Sequence, residues 1–214
     1  MSGIMLNIAG GSSAPSIPTV IGQAFGGGFY AGQIGVSSVA THYLIVGPVA
    51  SAQSSFEWKN ASTATAGADS DIDGPQNTAD MVADGNSTVY PSAHFCNDLS
   101  TGGQTDWYMP AKNELEVCYY NLKPATTVNN TATGINANAV PARASNYTSG
   151  DPAQTSVAAF ITSTGAQAFS AAGYWSSTEN SATTAVCKNF NNGSLVNYGK
   201  TYSVVVRAIR RIAV

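Results

Sequence analysis

A run of alternating carboxylates carries the sharpest chemical signal in the sequence. Five side chains with oxygen ligands fall within twelve residues: Asp69, Asp71, Asp73, Asn77 and Asp80. Alternate acidic residues followed by a glycine are how a calcium loop arranges oxygens around a hard cation, although its twelfth position normally carries Glu. No helix is predicted before the run, because residues 61–68 are small and polar. Two interpretations stay open, a calcium site and a turn whose aspartates cap the following helix, and the second is favoured.

The C-terminal third contains loops whose polar side chains suit recognition of a ligand. The candidates are Glu179, Asn180, Asn189, Asn191, Asn192, Ser194, Asn197, Tyr198 and Tyr202. Asn, Ser and Tyr make adaptable hydrogen bonds with little charge, which is the composition that binding loops favour. A second stretch, residues 125–155, is predicted to be a long irregular loop, and such loops are often functional. The alternative is that these residues are ordinary surface in a chain rich in Asn and Ser.

The thiols and imidazoles give little support to catalysis. Cys96, Cys118 and Cys187 are scattered, and they share no zinc-ligand spacing with His42 or His94. We therefore expect buried thiols rather than a nucleophilic cysteine.

Two glutamates and an aspartate are expected to be structural. Glu114 and Glu116 are two apart on a predicted helix, so they should face different sites. Glu114 should stabilise the N-terminus of that helix rather than act as an acid catalyst. Asp106 is expected to pair with Arg207 or Arg210 of the last strand.

The composition excludes several classes of protein. Charged residues make up 10% of the 214 residues, the net charge is −3 and the pI is about 5.2. This balance argues against nucleic-acid binding, and the basic residues of the last 27 positions alternate with apolar ones, as at the rim of a strand. No apolar run reaches the roughly 18 residues of a membrane helix. Three cysteines are too few for a disulfide scaffold, and the first residues lack a secretory-signal pattern, so we expect synthesis in a reducing cytoplasm.

Local patterns predict the elements that position these side chains. Helices are predicted over residues 76–83, within 89–99 and between Pro110 and Pro124, and strands over 29–34, 43–46, 174–177, 185–190 and 203–209. The first helix should be capped by Asp73 or Asn77 and should end near Gly85. Asn-Asn-Gly at 191–193 is typical of a hairpin turn, and residues 50–75 are expected to be a loop.

Two of the three tryptophans are expected to be buried. Trp107 and Trp175 should pack in the core, whereas for Trp58 both a buried and an exposed position stay possible.

The N-terminal segment has a composition of its own. Residues 1–24 are rich in Gly, Ser and Pro, which excludes a stable helix or central strand. This segment nevertheless carries apolar residues: Ile4, Leu6, Ile17, Val20 and Ile21. We expect an extended arm that docks on a partner or sister subunit, with a frayed terminus as the alternative.

Four short motifs in order resemble a known family. Residues 106–115, with Trp107, Pro110 and Glu114, resemble its W-R/Y-L-P-x-x-x-E-L element. Its Y-W-S-S/T, F-x-x-G and V-R-x-V/I-R elements are matched by residues 174–178, 190–193 and 206–210. The chain thus resembles the Lcl C-terminal domain family, named after a Legionella collagen-like adhesin. Upstream motifs at 27–32, 43–46 and 73–78 resemble the long version found in bacteriophage virion proteins.

The resemblance implies an α+β, C-type-lectin-like domain. It would span residues 25–214 behind the 1–24 arm, with a twisted antiparallel sheet, one or two short helices and long loops on one side. Such loops are ligand platforms in this fold. No cofactor is expected, apart from the calcium interpretation above.

The resemblance also implies a function at a virion surface. The favoured interpretation is a non-enzymatic bacteriophage protein, made in the host cytoplasm, that binds a host glycan or protein at a tail fibre or tail tip. The alternative is a capsid decoration or head-fibre protein that binds other virion proteins through the arm. A formylglycine-generating-type enzyme and a bacterial adhesin are less favoured, since the cysteine motif and the secretion signal are missing. A homo-oligomer, with trimers common among such proteins, is expected, without nucleic acid or membrane insertion.

Overall fold

The computed structural model describes residues 17–214, so Ile4 and Leu6 of the predicted arm lie outside the described residues. The chain forms an α+β domain, as expected. Its helices are α1 Val49–Ala52, α2 Gly74–Asp84, α3 Pro91–Asn97 and α4 Lys112–Leu122, with one 3-10 turn, Ala158–Phe160. Its strands are β1 Ala24–Phe25, β2 Gly28–Val36, β3 Val39–Val46, β4 Gln53–Phe56, β5 Gly173–Glu179, β6 Thr184–Asn189, β7 Leu195–Gly199, β8 Val204–Arg207 and β9 Ile209–Ala213.

The strands form two sheets rather than one. The first sheet has the antiparallel order β1-β2-β3-β9, and the second has the order β4-β8-β5-β6-β7 with β5 and β8 parallel. The predicted strand 203–209 is wrong as a single element, because it divides into β8 and β9 in different sheets. At the division the backbone of Ala208 donates to Ala52 and accepts from Gly47, which carries the chain across between the sheets.

The strands predicted over residues 29–34 and 43–46 are confirmed as β2 and β3, which form an antiparallel hairpin. Two corrections concern the segments that follow. The expected loop over 50–75 contains α1 and β4, because Gln53–Phe56 pairs with β8 far along the chain. The helix expected to begin at Pro110 begins at Lys112 instead. The carbonyl of Pro110 accepts a hydrogen bond from Ser177 of β5, so this residue bridges the helix to the sheet.

The helix predicted over residues 76–83 is confirmed as α2, which begins two residues earlier, at Gly74, and ends one residue later, at Asp84. In α2 the Asp73 carboxylate accepts from the backbone N–H of Gln76, and the chain leaves the helix at Gly85. An Asp at this position satisfies an N–H group that has no partner within the helix. No helix of the described chain is long and apolar enough to cross a membrane.

The core contains all three tryptophans. Trp107 and Trp175 are buried as expected, and Trp58, which the sequence left open, is fully buried. The Trp58 indole donates to the carbonyl of Ser176 at 2.9 Å, and the Lys200 ammonium lies 4.7 Å from its ring centroid. These partners are more than 100 residues away in sequence, which is why the local pattern did not reveal the burial of Trp58.

Basic residues near the C-terminus are buried, contrary to the expectation that they lie at a strand rim. Lys188, Lys200, Arg207 and Arg210 are 9% exposed or less. Arg210 forms a two-pronged ion pair with Asp106 at 2.7 Å, which decides between the two predicted partners. Arg207 instead donates to backbone carbonyls and packs against aromatic rings.

Candidate ligand-binding surface

The long irregular loop and the turn of the β6–β7 hairpin form one continuous surface. Three bonds join them: Thr127 Oγ1 to Asn191 Oδ1 at 3.3 Å, Asn130 N to Asn192 O at 2.8 Å, and Thr133 Oγ1 to Gly193 O at 2.8 Å. We define the exposed residues of 125–155 together with the turn 190–194 as the loop surface. Val128 and Ile135 are exposed apolar side chains within it, at 65% and 59%.

A buried asparagine organises one half of the long loop. Asn129 is 4% exposed, and its amide nitrogen donates to the carbonyls of Thr148 and Pro152 at 3.1 and 2.9 Å. Its amide oxygen accepts from the Tyr119 hydroxyl at 2.7 Å. One side chain thereby ties two ends of the loop to α4, in place of a regular ladder of backbone bonds.

A buried charge cluster organises the other half, and we call it the Glu116 hub. Its members are Glu116, Asn136, Arg143, Tyr147 and Lys188. The Glu116 carboxylate accepts from the side chains of Asn136, Arg143 and Tyr147. Lys188 of β6 donates to the Tyr147 hydroxyl at 3.0 Å. The hub therefore fastens the loop to both α4 and the second sheet.

Burial sets the protonation behaviour of the Glu116 hub. Lys188 is 1% exposed, and loss of hydration lowers its pKa to about 8, while the nearby Glu116 carboxylate acts to raise it. Burial and the same carboxylate raise the pKa of Tyr147 well above its usual range. The hub thus places the Glu116 carboxyl group close to both the Arg143 guanidinium and the Lys188 side chain.

The nine predicted recognition residues are not brought together. Asn191, Asn192 and Ser194 belong to the loop surface, and Asn189 is the last residue of β6, next to it. Asn197 lies within β7, and the others lie towards the opposite end of the hairpin: Glu179, Asn180, Tyr198 and Tyr202. The six residues of β6 separate the two ends by roughly 20 Å.

Several of these nine side chains are already engaged. Glu179 pairs with Lys200 and accepts from the Thr65 backbone. Asn189 and Asn192 accept from backbone N–H groups within the turn, which holds the turn rather than leaving the amides open. Tyr202, by contrast, is 61% exposed.

Of the five predicted metal ligands, Asp69 is exposed and the other four are engaged one by one. Asp71 pairs with Lys112, and Asp73 caps α2 and pairs with Arg211 at 3.0 Å. Asn77 bonds to Ser70 and Ser177, and Asp80 accepts from Gln76. Within residues 17–214, no three His, Cys, Asp or Glu side chains form a group that could hold a metal ion. The arrangement matches the helix-capping interpretation at Asp73.

Glu114 and Glu116 serve different sites, as the spacing predicted. Glu114 is fully buried and accepts from the Ala111 N–H at 2.9 Å and the Tyr108 hydroxyl at 2.7 Å. Burial raises its pKa to about 7, against the opposing effect of these bonds and of Arg211. It therefore holds the first turn of α4, the structural role expected of it.

Concave regions occur away from the loop surface. One cavity of about 300 Å³ is lined by Asp106, Tyr108 and Arg211 among others. Another of about 410 Å³ lies between Phe56 and Phe95. Neither of these two cavities is lined by a residue of the loop surface.

Positive charge is withdrawn from the surface of the molecule. All nine Lys and Arg residues of the sequence lie in the described part of the chain. Six are buried: Lys59, Lys123, Lys188, Lys200, Arg207 and Arg210. The three half-buried ones are each paired with a carboxylate: Lys112, Arg143 and Arg211. Exposed carboxylates remain, such as Asp69 and Asp98, so the outer surface is acidic or uncharged.

Sequence reasoning missed the Glu116 hub. Arg143, Tyr147 and Lys188 were not singled out, and they come from segments up to 72 residues from Glu116 along the chain. The sequence signal that could have indicated the hub is the small number of charged residues. In a chain with only 10% charged residues, each Lys or Arg can be expected to have a specific hydrogen-bond or ion-pair partner.

The motifs that carry the family resemblance are structural. Trp107, Glu114, Trp175, Phe190 and Arg207 are all 2% exposed or less. A search of curated proteins found no match. The family model of the Lcl C-terminal domain matches residues 47–210, which is more than half of the chain. The chain therefore belongs to the Lcl C-terminal domain family.

Proposed function

We propose that this chain is a non-enzymatic virion-surface protein of a bacteriophage that binds a host-cell receptor through the loop surface. Membership in the Lcl C-terminal domain family is consistent with an adhesin-like surface protein. The observation that carries the proposal is the loop surface itself. A long loop without regular structure is joined to the β6–β7 turn and held from beneath by buried polar groups.

A binding platform benefits from being held in advance. Ordering a loop on binding costs free energy, so a loop fixed by Asn129 and the Glu116 hub loses less on association. Its exposed residues are small and polar, with Val128 and Ile135 as apolar contacts.

The charge distribution supports an uncharged receptor group. Sulfated or phosphorylated ligands are recognised by free Lys and Arg side chains. Here every basic side chain is buried or paired, so the surface offers such anions no free cation. A neutral glycan or an uncharged protein surface fits the loop surface better.

The chemistry of the thiols supports a non-enzymatic role. The three cysteines are free and buried. Burial raises the pKa of Cys187 to about 12 and raises the pKa of Cys96 and Cys118 as well. A thiol needs a lowered pKa and access to solvent to act as a nucleophile.

The first test is competition for host cells. We expect the purified chain to reduce adsorption of the phage that carries it, in proportion to concentration. Replacing both Val128 and Ile135 by Ser should weaken this competition by about tenfold, because two apolar contacts are lost. Ile72→Ser, an exposed apolar residue outside the loop surface, is the matched control.

The same assay tests the nature of the ligand. Competition should change little between about 0.05 and 0.5 M salt, because no free cation contributes to binding. Failure to compete, or equal effects of Ile72→Ser and the double variant, would contradict receptor binding through the loop surface.

A second candidate is capsid decoration through the N-terminal segment. Ile17 and Val20 are 64% and 63% exposed, although Ile21 packs against the core. Exposed apolar residues beside a packed one suit docking on another virion protein.

An arm variant tests this candidate. The double variant Ile17→Ser, Val20→Ser should leave the melting temperature unchanged and reduce the copies of the protein on purified particles severalfold, measured by quantitative immunoblotting. Unchanged copy number in the double variant would argue against attachment through these residues.

A further inference from the structure

Strand β7 leaves one edge of the five-stranded sheet open. β7, Leu195–Gly199, pairs with β6 alone in the described part of the chain. At either end of the β6–β7 pair, the backbone N–H of Asn189 donates to the carbonyl of Ser194 and the backbone N–H of Lys200 donates to the carbonyl of Thr183. These two bonds fix which residues of β7 between them hydrogen-bond to β6.

The alternation decides which backbone groups face outward. In antiparallel pairs, hydrogen-bonded and non-hydrogen-bonded positions alternate. Val196 and Tyr198 therefore bond to β6, while Leu195, Asn197 and Gly199 turn their N–H and C=O groups to the open side. Leu195 and Asn197 are exposed.

The other edge strands are protected. β1 has two residues. The backbone of Tyr108 pairs with Ile209, the first residue of β9, and covers the start of that strand. α3 packs beside β4, where Ser92 donates to the carbonyl of Glu57. Short length, charge and covering segments are the usual means of blocking strand addition.

β7 has none of these protections. It contains no charged residue and no proline, and its register with β6 is continuous. The nearest cations do not guard it, since Lys188 is directed into the Glu116 hub and Lys200 towards Glu179. An open row of backbone donors and acceptors is complementary to another strand.

We infer that the open edge of β7 pairs with β7 of a second copy of this chain, antiparallel about a two-fold axis at Asn197. In this register Leu195 of each copy faces Gly199 of the other, and Asn197 faces its equivalent. A charged residue at this position would face the same charge in the other copy and repel it. The Asn197 side chain is uncharged and can both donate and accept, so the two Asn197 amides can hydrogen-bond to each other.

The charge distribution favours a second copy over other occupants. β7 carries no charge, and carboxylates without an ion-pair partner in the described chain, such as Asp69 and Asp151, lie in other segments, so an edge-to-edge contact of two copies brings no like charges together. A two-fold contact uses the same surface on both partners, so that surface must be complementary to itself.

The test uses the full chain in sedimentation equilibrium. We expect the unaltered protein to dimerise, and Asn197→Lys to raise the dimer dissociation constant at least about tenfold by placing like charges opposite each other. Asn180→Lys makes the same change at an exposed site outside β7 and should leave the dimer unchanged.

Mixing variants gives the decisive measurement. Asn197→Lys and Asn197→Asp should each be monomeric, and an equimolar mixture should restore dimers containing one of each. Unaltered protein that remains monomeric up to about 100 µM would overturn the inference. So would a mixture that stays monomeric while circular dichroism shows both variants folded.

Discussion

Replacing Glu116 by Gln is expected to lower the free energy of unfolding by about 3–5 kcal/mol, because it removes the carboxylate from a buried ion cluster. Glu116 is 3% exposed and accepts from Arg143, Asn136 and Tyr147. Without its negative charge, the Arg143 guanidinium has no carboxylate partner. The buried Lys188 also loses the carboxylate that acts to raise its pKa, so that pKa falls further. For a domain of this size the melting temperature should fall by about 10 °C or more.

Two further variants distinguish the loss of the Glu116 charge from a nonspecific effect of a Glu-to-Gln substitution. Glu57→Gln makes the same chemical change at a carboxylate without an ion pair in the described chain, and it should shift stability by less than about 0.5 kcal/mol. The double variant Glu116→Gln, Lys188→Met should be more stable than Glu116→Gln alone, because it also removes a buried amine that no carboxylate stabilises any longer. Urea unfolding measures all three. A loss below about 1 kcal/mol in Glu116→Gln would contradict this account of the hub.

Stability is also expected to depend on pH through Glu114. The pKa of Glu114 is about 7 in the folded protein, against 4.5 for an ordinary glutamate such as that of the unfolded chain, chiefly because of burial. The folded state therefore holds a proton that the unfolded state releases between these values. The stabilisation is fully present below pH 4.5 and is lost as the pH rises through 7, a change of about 3 kcal/mol.

Glu114→Gln isolates this contribution. The Gln amide can still accept from Ala111 and donate to Tyr108, but it does not titrate. Its stability relative to the unaltered protein should therefore increase by about 2 kcal/mol between about pH 5 and pH 7.5, which covers most of the titration, measured by urea unfolding at each pH. His42 has a lowered pKa and acts in the opposite direction, so the difference between the two proteins is the quantity to compare. A difference that is the same at both pH values would mean that Glu114 titrates near its ordinary pKa.

Elements with local signals were predictable from the sequence. The β2–β3 hairpin, the Asp73 cap of α2 and the turn 191–193 depend on residues close together in the chain. In each case the residues that define the element are its own side chains or those next to it, so a short window contains the information.

Features that depend on distant partners were not predictable in the same way. β4 exists because Gln53–Phe56 pairs with β8, and the strand after residue 203 divides because Ala208 bonds to the region of α1. The candidate site divides similarly. Its loop 125–155 was foreseen from composition, whereas the Glu116 hub needs that loop, α4 and β6 to meet. Hydrophobic periodicity and turn residues are local signals, so they do not indicate which distant segments will contact each other.

The way the long loop is held has a consequence for how freely its outer face can vary. Asn129 and the Glu116 hub fix the backbone from the inside, and exposed positions such as Thr131 and Asn146 contribute no side-chain bond to that support. Substitutions at such positions typically change stability by less than about 0.5 kcal/mol. Scaffold and contact surface are thus carried by different residues, so mutation can diversify what the surface contacts while the same fold persists.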